Sequence, residues 1–430
     1  MSNQSSGIAR NAIPISSRRS SAARPSRVRP AARLGDVLYD LRGSVHDRAL
    51  QLEADGHQIV RLNIGNPAPF GFEAPEVIVD SLRGSLSLSH GYSESQGLTE
   101  AREAIRDHYL DRAGFSELAI EDILIGNGVS ELIGLALQAL IEPGDEVLIP
   151  MPDFPLWTSA TVLAGGVPVS YPCREDVGWE PDLEQLEALV TVRTKALVVI
   201  NPNNPTGAVY GRSVLEGIVR LAQQHGLLLL SDEIYDRIVY PGHTHINTAA
   251  VAAGHPCLTF GGLSKTHRVA GFRSGWVAAT GFPRRDAYLA GLRMLASMRI
   301  CASVPSQRAI VPALKEDDSL AALLRPGGRL HDQMKAATHA LRAIPGVTVH
   351  EPGGALYLFP RLDVDRFGVI DDERLVRDFL EREHVLLAHG RAFNWAEPDH
   401  LRLTVLPPQD VLRDVIGRLG RFLDGYSQRT

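Results

Sequence analysis

Short apolar runs recur along the chain, each bounded by turn residues: Ile123–Ile125, Glu146–Ile149, Val167–Tyr171, Ala196–Ile200, Leu227–Leu230 and Leu258–Phe260. Runs this short and rich in Val, Ile and Leu read as buried strands. Between them, apolar residues return at helical spacing. Val129, Leu132, Ile133, Ala136, Leu137 and Leu140 share one helix face. Helices are also predicted over Val45–Asp55, Thr99–Ala113 and Leu183–Val190, with a helical connection from about Asp286. This alternation predicts an α/β fold with a mostly parallel central sheet flanked by helices. Ile59–Ile64, Gly353–Phe359 and Leu401–Val405 read as further strands outside that run, in a smaller α+β part.

Composition narrows the class. The chain has 430 residues, enough for two or three domains, with 44% hydrophobic and 22% charged residues, as in ordinary globular proteins. A net charge of −6 gives the body no nucleic-acid footprint, and no apolar run approaches a membrane span. Cys173, Cys257 and Cys301 are scattered, without metal-ligand spacing or a pairing pattern. They read as small buried apolar residues in a reducing, cytoplasmic compartment. Residues 1–33 stand apart: they hold seven arginines and no acid, and removing those charges takes the remainder from −6 to −13. The Arg/Ser/Pro-rich composition predicts a disordered tail. It also fits a transit peptide, but the arginine bias runs through the whole chain, which favours a plain extension from a GC-rich bacterial genome.

The chemistry sits in the turns after the strands, where ligands of open α/β sheets bind. Gly126-Asn127-Gly128 opens the Val129 helix, and a glycine turn at a helix N-terminus suits a phosphate. Ala196–Ile200 runs into Asn201-Pro202-Asn203-Asn204-Pro205-Thr206-Gly207, and Leu227–Leu230 into Ser231-Asp232-Glu233-Ile234-Tyr235. Leu258–Phe260 leads to Gly261-Gly262-Leu263-Ser264-Lys265, with Arg273 eight positions further on. The chain holds four lysines against forty arginines, so a lysine among small residues points to amine chemistry. Arginine cannot lose its proton, whereas a lysine amine can, and can then form a Schiff base. Taken singly, each stretch is also an ordinary loop.

Together, in this order, the last three of these stretches resemble the signature of class I/II, fold-type I aminotransferases, which depend on pyridoxal 5′-phosphate (PLP). The resemblance extends from Leu34 to about Tyr426. It implies that Lys265 carries the cofactor and moves the substrate proton, and that Asp232 pairs with the pyridine nitrogen. Tyr235 and Asn204 would then hydrogen-bond the 3′-oxygen. Gly128, Val129, Ser130, Ser264 and Arg273 would hold the phosphate, and Phe154 would stack on the ring, with Trp157 read as a core residue. Tyr92, in Gly91-Tyr92-Ser93, would cross a dimer interface to the neighbouring cofactor. Arg402, an arginine in an apolar strand, would bind the substrate α-carboxylate, and Gly65 would leave room beside the substrate. Arg42 could reach the same mouth. The chain departs from the family pattern at Arg268 and Ser274.

Longer stretches, among them Asn63–Phe72, Met294–Arg299 and Ala392–Trp395, are similar to the bacterial glutamate–pyruvate (alanine) branch. That implies L-alanine/pyruvate and L-glutamate/2-oxoglutarate as substrates of a homodimer. Aspartate transamination is the alternative. A PLP-dependent C–S lyase, which would share the cofactor residues and differ in pocket shape, stands further off, as does an aminotransferase-like regulator, for which residues 1–33 are too short and Pro-rich to form a helix-turn-helix unit. The expected organisation is tail 1–33, arm and part of a small domain 34–75, large domain 76–315, and small domain 316–430.

Overall fold

The computed structural model describes residues 28–39, 43–252, 254–315 and 317–428. Arg42 and most of the expected tail, residues 1–27, lie outside them. The rest of the tail is exposed and enters a 3-10 turn, Ala32–Asp36.

The central sheet has eight strands among the described residues, in the spatial order Ile123–Asn127, Ser274–Thr280, Cys257–Gly262, Leu228–Asp232, Thr194–Ile200, Glu146–Met151, Val167–Arg174 and Glu180–Pro181. From Cys257–Gly262 to Val167–Arg174 the pairing is parallel. Apart from Val167–Arg174, which is largely exposed or half-buried, these strands are buried on both faces, which is why their sequences are largely apolar runs. Along Ala196–Ile200 the side chains alternate between two cores: Ala196, Val198 and Ile200 pack with Leu132, Leu137 and Phe260, while Leu197 and Val199 pack with Leu215, Ile218 and Leu229. The first core lies under helix Val129–Leu140, the second under helix Arg212–His225.

Ser274–Thr280 is antiparallel to both neighbours and was not among the expected strands. Its sequence, Ser-Gly-Trp-Val-Ala-Ala-Thr, lacks the β-branched run that marks the others. Ladders on two sides hold it instead, with Gly262 opposite Gly275.

A separate apolar cluster joins Val45, Leu52 and Leu62 to Met334, Phe379, Leu403, Leu412 and Leu419. Its strands are short. Only Val60–Arg61 of Ile59–Ile64 is paired, and only Tyr357–Leu358 of Gly353–Phe359. The second shortening has a clear cause: Gly354 and Ala355 turn to other chain segments, their N–H groups donating to Gly207 O and Ile238 O at 2.9 Å each. That seam lays the C-terminal strands on the turn after Thr194–Ile200. Among the described residues, no helix is long and apolar enough to cross a membrane.

Gly207 tests the seam. Its φ is +74°, and a Cβ there would lie 2.4 Å from Pro352 Cβ and 2.9 Å from Gly354 O. Gly207→Ala should cost about 1–3 kcal/mol, read as a lower urea midpoint. An unchanged midpoint would mean that the seam yields freely.

Candidate active site

Three neighbouring parallel strands deliver three functional groups to one cavity of about 210 Å³. Thr194–Ile200 leads to Asn204, Leu228–Asp232 ends on Asp232, and Cys257–Gly262 leads to Lys265. All three line the cavity at the carboxyl ends of their strands, with Tyr235, Phe154, Val129, Ser130, Ser264, Arg273, Gly65 and Arg402. These positions were expected together from sequence.

Asp232 lies at the base. Trp157 Nε1 donates to its Oδ2 at 3.0 Å, and the Ile234 N–H reaches its Oδ1 at 3.4 Å. Burial pushes the carboxyl up to about 6, against the pull of these two donors and of Lys265. Trp157 is a core residue, edge-on to Phe260, but its polar end has this second task. Sequence reasoning assigned it only the first.

At one side, Gly128 caps helix Val129–Leu140 with φ +84°. A Cβ on Gly128 would fall 2.2 Å from Arg273 Nη2, so the guanidinium lies directly on the glycine. Arg273 Nη1 donates to Ala270 O at 2.9 Å, and no carboxylate among the described residues pairs with it. Gly275 lets this strand approach closely, since its Cβ would sit 2.6 Å from Val129 N. A helix N-terminus and an unneutralised guanidinium converge here, which makes an anion site.

At the other side, Arg402 is buried. Its Nη1 donates to Asn204 Oδ1 at 2.9 Å, and its Nη2 to Asn63 O. Its plane is held between the rings of Tyr357 and Phe393, each 4.2 Å from the guanidinium carbon. Its Nε has no partner, and no carboxylate among the described residues reaches it. Lys265 Nζ donates to Gly65 O at 2.7 Å. Gly65 was expected to be a glycine for the sake of a bound ligand; the nearer reason is Tyr357, whose Oη lies 2.1 Å from where a Cβ would stand.

Tyr357 was read only as part of a strand. It lines the cavity, as do Tyr39 and Ile64. Tyr92 does not line it and is 82% exposed. Arg268, the departure beside the lysine, takes φ +61° and spans outward: its Nε donates to Glu73 O at 3.0 Å and its Nη2 to Ser319 Oγ at 2.5 Å. Ser274 Oγ donates to Ser306 O at 2.6 Å.

This fold and site define a family. The model of aminotransferase class I and II matches residues 57–419, and the chain belongs to that family of PLP-dependent enzymes. Among its relatives, it is 53% identical over 400 residues to an alanine aminotransferase of Mycobacterium tuberculosis, covering 93% of each chain. It is 49% identical over 406 residues to the glutamate-pyruvate aminotransferase AlaA of Escherichia coli, covering 94% of this chain and all of that one. A crystal structure of an aminotransferase from Escherichia coli superposes with a TM-score of 0.92 at 48% identity, over 94% of this chain and 100% of that one.

The raised Asp232 carboxyl makes a pH prediction for the cofactor-free protein. The folded state holds this proton more tightly than the unfolded chain does. Its contribution to stability is therefore full below the ordinary aspartate pKa and is lost as pH rises through about 6. Asp232→Asn removes that loss. The variant should gain on wild type by about 3 kcal/mol between pH ~4 and pH ~7, measured as urea midpoints. Parallel curves would contradict the burial argument.

Proposed function

We propose that the protein moves amino groups between L-alanine/pyruvate and L-glutamate/2-oxoglutarate, in two half-reactions that share one site. The printed names of the relatives support the substrate pair. The observation that carries the reading is Arg402: a buried cation that no carboxylate among the described residues reaches, facing the same cavity as Lys265. A buried guanidinium calls for an anion, and an amino acid's α-carboxylate would supply one while its amine approaches Lys265.

The residues present fit PLP. The anion site at Gly128, Val129, Ser130, Ser264 and Arg273 suits its phosphate, and Phe154 offers a ring to stack on its pyridine. Asp232, whose carboxyl is raised chiefly by burial, would ionise against a pyridinium nitrogen and keep that nitrogen protonated. Asn204 spends its oxygen on Arg402, which leaves its amide N–H groups for the 3′-oxygen beside Tyr235. When bound, PLP supplies the carbonyl carbon that takes up the amino group and a ring that spreads the electron pair left at Cα. Lys265 would hold the cofactor, then take the proton from substrate Cα and return it on the cofactor side. Gly65, kept small, leaves the substrate path beside Tyr357 open.

The functional form is a homodimer with shared sites. Tyr92 is exposed and unused by its own cavity, and Met294 and Met298 of helix Ala287–Met298 are 60% and 75% exposed. Apolar side chains left out on one helix suit a partner subunit. Residues 34–75 form an N-terminal arm and part of the small domain, 76–315 the large domain and 316–430 the C-terminal small domain, and the enzyme works in the cytoplasm on small acids, without nucleic acid or membrane.

Lys265→Ala should abolish transamination; substantial remaining turnover would defeat the assignment. Arg402→Leu should lower kcat/KM by about 30-fold or more, alike for alanine and glutamate. A loss confined to glutamate would place Arg402 at the distal carboxylate instead.

A further inference from the structure

Tyr357 and Tyr235 come from chain segments 122 residues apart, yet their hydroxyls meet at 2.8 Å. Both phenols are buried, Tyr235 at 3% and Tyr357 at 2% exposure. Distance alone does not say which one donates; the surroundings do. Tyr357 Oη packs against Gly65, 2.1 Å from where a Cβ on it would stand. The charged groups bearing on Tyr357, Lys265 and Arg402, are both cations and accept no proton. The acceptor within reach of the Tyr357 proton is Tyr235 Oη. Tyr235 therefore receives, and its own proton must point elsewhere, into the cavity that Tyr235 lines.

We propose that Tyr357 is a positioning residue: its hydroxyl donates to Tyr235 and turns the Tyr235 proton toward the 3′-oxygen of the bound cofactor. The inference rests on the PLP reading given above. Gly65 makes room for the arrangement, since its carbonyl takes Lys265 Nζ while the lack of a Cβ admits Tyr357 Oη. Donor order along such a chain strengthens each following hydrogen bond. Charge also bears on the pair: burial would push the Tyr357 phenol up, but Lys265, Arg402, the Tyr235 hydroxyl and Gly65 together bring it below its ordinary value, while Tyr235 is pushed up, by burial first and then by Tyr357. The same Tyr357 ring covers one face of Arg402, so one side chain bears on both the substrate-carboxylate group and the cofactor-oxygen group.

Tyr357→Phe keeps that ring and removes only the hydroxyl. The readout is the pH titration of the cofactor absorbance in purified holoenzyme. A strong Tyr235 hydrogen bond draws charge from the 3′-oxygen and so disfavours a proton on the nitrogen that joins Lys265 to the cofactor. Without the Tyr357 hydroxyl, Tyr235 donates less strongly and the titration midpoint should rise by about half a pH unit or more. Tyr235→Phe should raise it further, and the double variant should match Tyr235→Phe alone, because Tyr357 acts through Tyr235. A wild-type midpoint in Tyr357→Phe, or the same increment with Tyr235 already removed, would overturn the proposal while leaving the PLP reading intact. Wild-type protein with no cofactor absorbance after incubation with PLP would overturn the reading itself, and this inference with it.

Discussion

A guanidinium sealed from water needs negative charge close by, and Arg402 has none from the described residues of its own chain. Much of the site is arranged around that unmet demand. Two aromatic rings fix the plane of the group, while Asn204 and the Asn63 carbonyl fix two of its nitrogens. The four partners arise from distant parts of the chain: Asn63 from the N-terminal segment, Asn204 from the turn after Thr194–Ile200, and the rings of Tyr357 and Phe393 from the C-terminal part. Arg402 is thus the point at which the C-terminal cluster and the central sheet meet over a shared cavity. Anything that shifts the seam at Gly207 and Gly354 also shifts this cation relative to Lys265.

Much of the cavity was legible because its residues sit in turns directly after strands. Asn204, Asp232 and Lys265 follow three apolar runs that are adjacent in the sheet, so strand periodicity and short motifs suffice to place them on one rim. Gly128 and Arg273 were also legible, one as a helix-opening glycine and the other by its spacing from the lysine.

What was not legible depends on pairs remote in sequence. Trp157 reads as core, and it is core; that its indole N–H meets Asp232 is set by the placing of helix Leu156–Ala164 over the sheet. Tyr357 reads as one aromatic in a strand, and only the fold brings it to Tyr235 and Gly65. Strand Ser274–Thr280 escaped because ladder pairing on both sides, and not its own propensity, makes it a strand. The bounds of Gly353–Phe359 were too long because Gly354 and Ala355 turn away to other chain segments. Arg268 looked like a packing problem and resolves as a tie to Glu73 O and Ser319.

The central claim is that one buried site holds PLP on Lys265 and admits an α-amino acid onto Arg402. The most direct measurement is the absorbance spectrum of the purified protein before and after L-alanine, L-glutamate or L-aspartate is added singly. The account predicts a lysine-bound cofactor band that converts to the amine form with alanine and glutamate, and poorly with aspartate. Efficient conversion by aspartate would move the substrate assignment. No such band even after adding PLP would contradict the account at its root.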